Sequence, residues 1–147
     1  MAMKFMKGLE PLGLLALRVV LALIFVYHGY PKLVHLTAGM HEFFVTHGLP
    51  SYFVSVAGIL ETFGAGLLFV GLFTRPAALL LAMEMAVAIW KVHSVHGILK
   101  VSEYEFPLAV AAGCLVLATV GAGVLSMDDM VFREGGKVRW VAKSSKS

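Results

Sequence analysis

Four apolar runs of close to membrane-crossing length dominate this 147-residue chain, and three of them enclose an ionisable side chain. The runs are Leu12 to Tyr30, Tyr52 to Phe73, Ala77 to His93 and Phe106 to Leu125. A membrane-spanning helix needs about 20 predominantly apolar residues. Lipid offers the backbone no hydrogen-bonding partner, so each run must close its bonds on itself as a helix. The enclosed charges are Arg18, Glu61 and Glu84. A charge at mid-bilayer costs roughly 2.5–3.5 kcal/mol on insertion scales, which turns such residues toward a bundle interior. The expected fold is therefore all-α, an integral membrane antiparallel four-helix bundle over residues 1–130, followed by a basic, partly disordered tail over 131–147.

Composition supports this reading. Hydrophobic residues make up 59% of the chain and charged ones only 14%, against about 25% charged in soluble domains. No stretch is left for a separate soluble catalytic domain. The net charge of +3 comes from Lys and Arg that flank the apolar runs. Basic residues so placed orient a membrane protein rather than bind nucleic acid. Cys114 is the only cysteine, which excludes an intramolecular disulfide and dithiol chemistry. Gly-x-Ser-x-Gly, P-loop and dinucleotide fingerprints are absent, so hydrolase and nucleotide-dependent functions fit poorly.

The basic residues also give an orientation. With four spans both termini share one side, which holds Lys4, Lys7, Arg75, Arg133, Lys137, Arg139, Lys143 and Lys146. The opposite side holds Lys32, Lys91 and Lys100. The excess places both termini in the cytoplasm. The first run, longer than a signal-peptide core and lacking a small-residue cleavage site, reads as an uncleaved span. Val131-Phe132, Gly135-Gly136 and Val138 suggest a short hairpin on the lipid surface.

Depth follows from a rise of about 1.5 Å per residue. Counted from the cytoplasmic ends of the runs, Arg18 lies roughly 9 Å deep, Glu84 roughly 10 Å and Glu61 roughly 18 Å. These depths predict a structural Arg18–Glu84 ion pair and leave Glu61 unpaired near the middle. All six histidines fall toward the outer side: His28, His35, His41, His47, His93 and His96. They have no zinc-protease or Cys-rich spacing, so no metal site is expected. His28, Lys91, His93 and Lys32, with Glu105 opening the last run, converge on an outer mouth above Glu61. Such a vestibule can seat a polar headgroup such as a quinone carbonyl.

Several motifs match one family. Arg18 with Val19 to Phe25, leading to His28-Gly29-Tyr30-Pro31-Lys32-Leu33, resembles the first motif of DoxX-type membrane proteins. Glu61 to Leu68 and Gly71 to Ala78 resemble their central motif, and Glu105 to Leu108 with Gly121 to Asp128 resemble the last span. The resemblance implies a four-span cytoplasmic-membrane protein associated with oxidoreductase complexes, some of whose relatives couple thiosulfate oxidation to quinone reduction. It places Arg18, His28, Lys32, Glu61, Thr74, Arg75 and Glu105 at motif positions.

The sequence reading is thus a quinone-facing membrane subunit of an oxidoreductase complex. Glu61, His28 and Glu105 are its catalytic candidates, and His28, Lys32, Lys91 and His93 its quinone-binding candidates. No haem, flavin or iron-sulfur motif is visible, so no intrinsic cofactor is expected and electrons would come from a partner subunit. The expected partners are the lipid bilayer, oxidoreductase subunits and a second copy of the chain. A scaffold whose charges only hold the bundle together is the alternative, and an oligomeric small transporter the third reading.

Overall fold

The computed structural model describes residues 2–35, 37–93 and 100–135, with backbone alone at 2–7, 93 and 133–135. Within them every regular element is a helix: α1 (Ala2–Val34), α2 (Ala38–Thr46), α3 (Phe53–Val70), α4 (Thr74–Ala88), α5 (Val101–Val120) and α6 (Met127–Gly135). A π-helical turn, Ile89–His93, continues α4. Among the described residues Gly8–Val34, Phe53–Val70 and Val101–Val120 are long and apolar enough to cross a membrane.

Helix boundaries differ from the sequence reading in instructive ways. The first helix does not stop at Tyr30 but runs through Pro31 to Val34. Proline removes one donor and crowds the preceding turn, yet the helix resumes at once, with His35 N donating to Pro31 O at 2.8 Å. Lys32 therefore projects from the same helix as Arg18. The short α2 was not foreseen; Thr37 starts it, its hydroxyl accepting from Met40 N at 3.4 Å. At the other end of α3, Gly71 takes a left-handed φ of 72° and donates to Leu67 O.

The last expected span, 106–125, is displaced to 101–120, because Gly121 at φ 97° ends α5. The hairpin expected at Val131-Phe132 is replaced by α6. Ser126 caps that helix by accepting from Asp129 N, and two acids in its first turn complement the helix dipole. Residues 136–147, including Gly136 and Val138 of the expected hairpin and most of the expected disordered tail, lie outside the described residues.

Packing follows the small residues. Helix α1 lies along α3, α4 lies along α5, and the α3–α4 turn joins the two pairs. A Cβ on Gly29 would sit 2.6 Å from Glu61 Cβ, and one on Gly58 would sit 2.9 Å from Lys32 Cβ. These two glycines let α1 and α3 approach closely in antiparallel register, as small residues do at membrane helix contacts. Gly64 accommodates Leu81 across the α3–α4 pair. The core is Leu21, Ala22, Phe25, Ala65, Leu68, Ala78, Leu81, Val110, Cys114 and Leu117. Outside it, Leu23, Phe63, Phe69, Met83, Leu115 and Val120 are exposed. An exterior this apolar suits acyl chains, not water.

Arg18 does not pair with Glu84. Its guanidinium, 1% exposed, donates instead to four backbone carbonyls. Nε reaches Leu68 O at 2.9 Å and Nη2 reaches Phe69 O at 3.0 Å, while Nη1 takes Ala122 O at 3.0 Å and Leu125 O at 2.8 Å. The last carbonyls of a helix lack intrahelical partners and carry the negative end of its dipole. Arg18 thus satisfies the end of α3 and ties it to the loop after α5. Asp128 completes the clamp from α6: its carboxylate accepts from Phe73 N at 2.7 Å and Thr74 N at 2.9 Å, capping the start of α4.

Candidate functional site

The polar centre lies at the other end of these helices. Lys32 Nζ donates to both Glu61 oxygens, each at 2.7 Å. Glu61, which depth counting left unpaired, therefore has a bidentate partner and is 2% exposed. Lys32 carries this charge from the last turn of α1, just beyond Tyr30, where the sequence reading ended the span. Gly58 sits against its stem and Gly29 against Glu61 Cβ, so the ion pair is built into the α1–α3 contact.

Glu84 is the second buried carboxyl group. Its Oε2 is buried and accepts no hydrogen bond among the described residues. The depth estimate failed because it counted from residues 73 and 77. With α3 ending at Val70 and α4 beginning at Thr74, Glu61 and Glu84 lie about 14 and about 15 Å from the turn and share a level.

Both carboxylates open onto a cavity of about 590 Å³ that Lys32 and His28 also line. Its remaining wall is mostly apolar and aromatic: Met40, Phe43 and Phe44 from α2, Phe53, Val54 and Ala57 from α3, and Met85, Val87 and Ala88 from α4. Helix α2 therefore forms one side of the cavity while burying none of its own residues. Ligand sites are typically of this kind, about 300–1,000 Å³ of apolar wall with a few fixed polar groups.

The histidines are oriented by the backbone. His28 Nδ1 lies 2.8 Å from Ile24 O, and His47 Nδ1 lies 2.7 Å from Phe43 O. A carbonyl only accepts, so Nδ1 is the donor in each ring and Nε2 is an acceptor in the neutral form. His47 lines the cavity beside Phe43, their rings 4.3 Å apart. His41 Nδ1 contacts Ser51 O at 3.1 Å, bracing α2 against the segment before α3.

Not every expected site residue joins this cavity. Glu105 is exposed on α5 and is not part of the wall. Lys91 also stays off the wall, its Nζ 4.9 Å from the centre of the Trp90 ring. The side chain of His93 and all of His96 lie outside the described residues. Sequence reasoning missed the contribution of α2 and the proximity of Glu84 to the mouth. The signal for the second was available: Glu61 and Glu84 are nearly equidistant in sequence from the turn at Leu72-Phe73.

Comparison with known proteins places the chain in context. The DoxX family model matches residues 13–94. The chain is 33% identical over 122 residues to a Bacillus subtilis protein named "Putative oxidoreductase CatD", an alignment covering 83% of this chain and 89% of that one. It is 30% identical over 129 residues to the Escherichia coli inner membrane protein YqjF, covering 86% and 97% respectively. An uncharacterized Haemophilus influenzae protein is 31% identical over 140 residues, covering 90% of this chain and all of that one. No solved structure matches.

Proposed function

The chain belongs to the DoxX family of membrane proteins, and from that premise and the chemistry of its cavity we propose that it is a quinone-facing membrane subunit of an oxidoreductase complex. The carrying observation is an apolar cavity onto which, among the described residues, Lys32, Glu61 and Glu84 open together with His28 and His47. A flat, lipophilic ring fits the Phe43, Phe44, Phe53 and Met85 walls, and its polar edge fits the level of the two carboxylates. A bound quinone supplies two-electron redox chemistry coupled to protons. The chain's own part is to desolvate the ring, to hold Lys32 and Glu61 in fixed geometry, and to offer carboxylates for proton exchange. The name of the Bacillus subtilis relative, "Putative oxidoreductase CatD", supports this class.

The proposed setting is a bacterial cytoplasmic membrane, crossed four times with both termini inside. In this arrangement α4 with its π-helical turn is the third span of an antiparallel four-helix bundle, and Arg18 and Asp128 secure its cytoplasmic end. The cavity then opens toward the outer leaflet, where His28 and His47 lie. Oxidoreductase partner subunits supply the electrons. The location of YqjF in the inner membrane and the lysine and arginine excess at the Arg18 end support this orientation.

Extraction of quinone from the purified protein tests the proposal. Wild type should retain quinone in near-stoichiometric amount, and Ala57→Trp, which fills the cavity from α3, should retain much less while eluting as the same folded species. Equal retention by the two proteins would sink the reading, as would no retention by wild type in quinone-supplemented membranes.

A further inference from the structure

Cavities occupy both ends of the bundle. The one beside Lys32, Glu61 and Glu84 is matched at the Arg18 end by another of about 520 Å³, whose wall includes Thr74, Arg75, Gly121, Asp128 and Phe132. Among the described residues none lines both. From Lys32 to Arg18 is about 21 Å along α1. The interval is packed with Phe25 and Leu21 from α1, Leu68 from α3, Leu81 from α4, and Cys114 and Leu117 from α5, all buried. Leu81 fills the notch left by Gly64, where a Cβ would come within 3.0 Å of its Cδ1. Behind this apolar layer lies the Arg18 guanidinium, fixed by its bonds to Leu68, Phe69, Ala122 and Leu125 carbonyls. A fixed cation in a constriction opposes the entry of protons and other cations.

The opposite end is open. Thr37, Gly39, His47 and Leu49 on the cavity wall belong to the connector between the spans that end at Val34 and begin at Phe53. The mouth therefore lies at the membrane–water boundary. The Lys32 side chain keeps 22% of its exposure there, while its partner Glu61 keeps 3%. From this arrangement we infer that the Lys32–Glu61–Glu84 centre exchanges protons and polar solutes with the α2 face of the membrane alone, the apolar layer and Arg18 forming the barrier to the other face. Arg18 thereby has a second role beside its clamp. A proton passed between either carboxyl group and a bound ligand is replaced from, or released to, that one side. The inference needs the cavity and the barrier but not the identity of the ligand, so it stands apart from the quinone reading.

Access of a water-soluble thiol reagent tests this in sealed membrane vesicles of both orientations, prepared from cells expressing the full chain. The probe is 2-(trimethylammonium)ethyl methanethiosulfonate, whose permanent charge keeps it from crossing lipid. Glu42→Cys, exposed on α2, and Glu10→Cys, exposed near the start of α1, report the two faces. Wild type, whose sole thiol Cys114 is fully buried in the barrier, should react from neither. Glu84→Cys should react in the vesicles that expose Glu42→Cys, and at least about tenfold more slowly in those that expose Glu10→Cys. Ala57→Cys, on the wall of the same cavity, should repeat the pattern and decides the matter if Glu84→Cys does not insert. Equal rates from the two faces, or faster reaction on the Glu10 side, overturn the inference. So does an absence of reaction from either face at both positions, which would show the cavity closed to water. Quinone retention by the purified protein is read separately, so a failure here leaves that reading standing.

Discussion

Replacing Arg18 by Met should unfasten the clamp at one end of the molecule without touching the cavity. The guanidinium makes four hydrogen bonds of 2.8–3.0 Å to carbonyls of α3 and of the loop after α5. A bond to a charged group contributes about 1.5–3 kcal/mol, so the gross loss is about 6–12 kcal/mol. Methionine also avoids the desolvation of a buried cation, which returns several kcal/mol. The expected net destabilisation is about 3–5 kcal/mol. Lysine keeps the charge but not the planar fork that reaches two chain segments at once, so Arg18→Lys should also destabilise, by less than Arg18→Met. Reversible unfolding in mixed micelles, followed by circular dichroism, reads both values. Gly71 supplies an internal check. A Cβ there would sit 2.5 Å from Arg18 Nη2, at a φ of 72°. Gly71→Ala should therefore be costly in wild type and cheaper by at least about 1 kcal/mol in the Arg18→Met background. Strict additivity of the two substitutions, or a cost below about 1 kcal/mol for Arg18→Met, would refute the clamp.

Two further perturbations separate the ends of the molecule. Asp128→Ala removes the cap on Phe73 N and Thr74 N and should cost about 0.5–2 kcal/mol, with faster amide exchange at residues 73–75 read by mass spectrometry. Lys32→Met leaves Glu61 buried without its partner and should cost about 3–5 kcal/mol, whereas Lys32→Met with Glu61→Leu should recover most of that loss. A double variant no more stable than the single one would show that the pair does more than neutralise itself.

Much of the fold was legible because lipid leaves a chain few choices. Apolar runs of the right length located the long helices, although α1 begins at Ala2 rather than Leu12 and α5 ends at Val120 rather than Leu125. The partners of the charges were not legible, for geometric reasons. Taking Pro31 as a helix end removed Lys32 from the first span, so Glu61 had no cation at its level. Starting the third span at Ala77 instead of Thr74 moved Glu84 about one turn shallower and matched it to Arg18 instead. Arg18 itself pairs with carbonyls, and backbone acceptors leave no trace in a sequence. Helix α2 was hidden because its nine residues bury nothing and so show no helical periodicity. It nevertheless supplies Met40, Phe43 and Phe44 to the wall of the cavity onto which both carboxylates open.

Photo-crosslinking with an azido-quinone, followed by peptide mapping, tests the central claim that a lipophilic ring occupies the cavity between α1, α2, α3 and α4. Labels should fall on the α2 residues Met40 to Phe44 and on Met85 to Ala88 of α4, and excess unlabelled quinone should suppress them. Labelling confined to the outward-facing Phe63, Phe69 and Met83, unaffected by competitor, would mean that quinone meets this protein only as a component of the surrounding lipid.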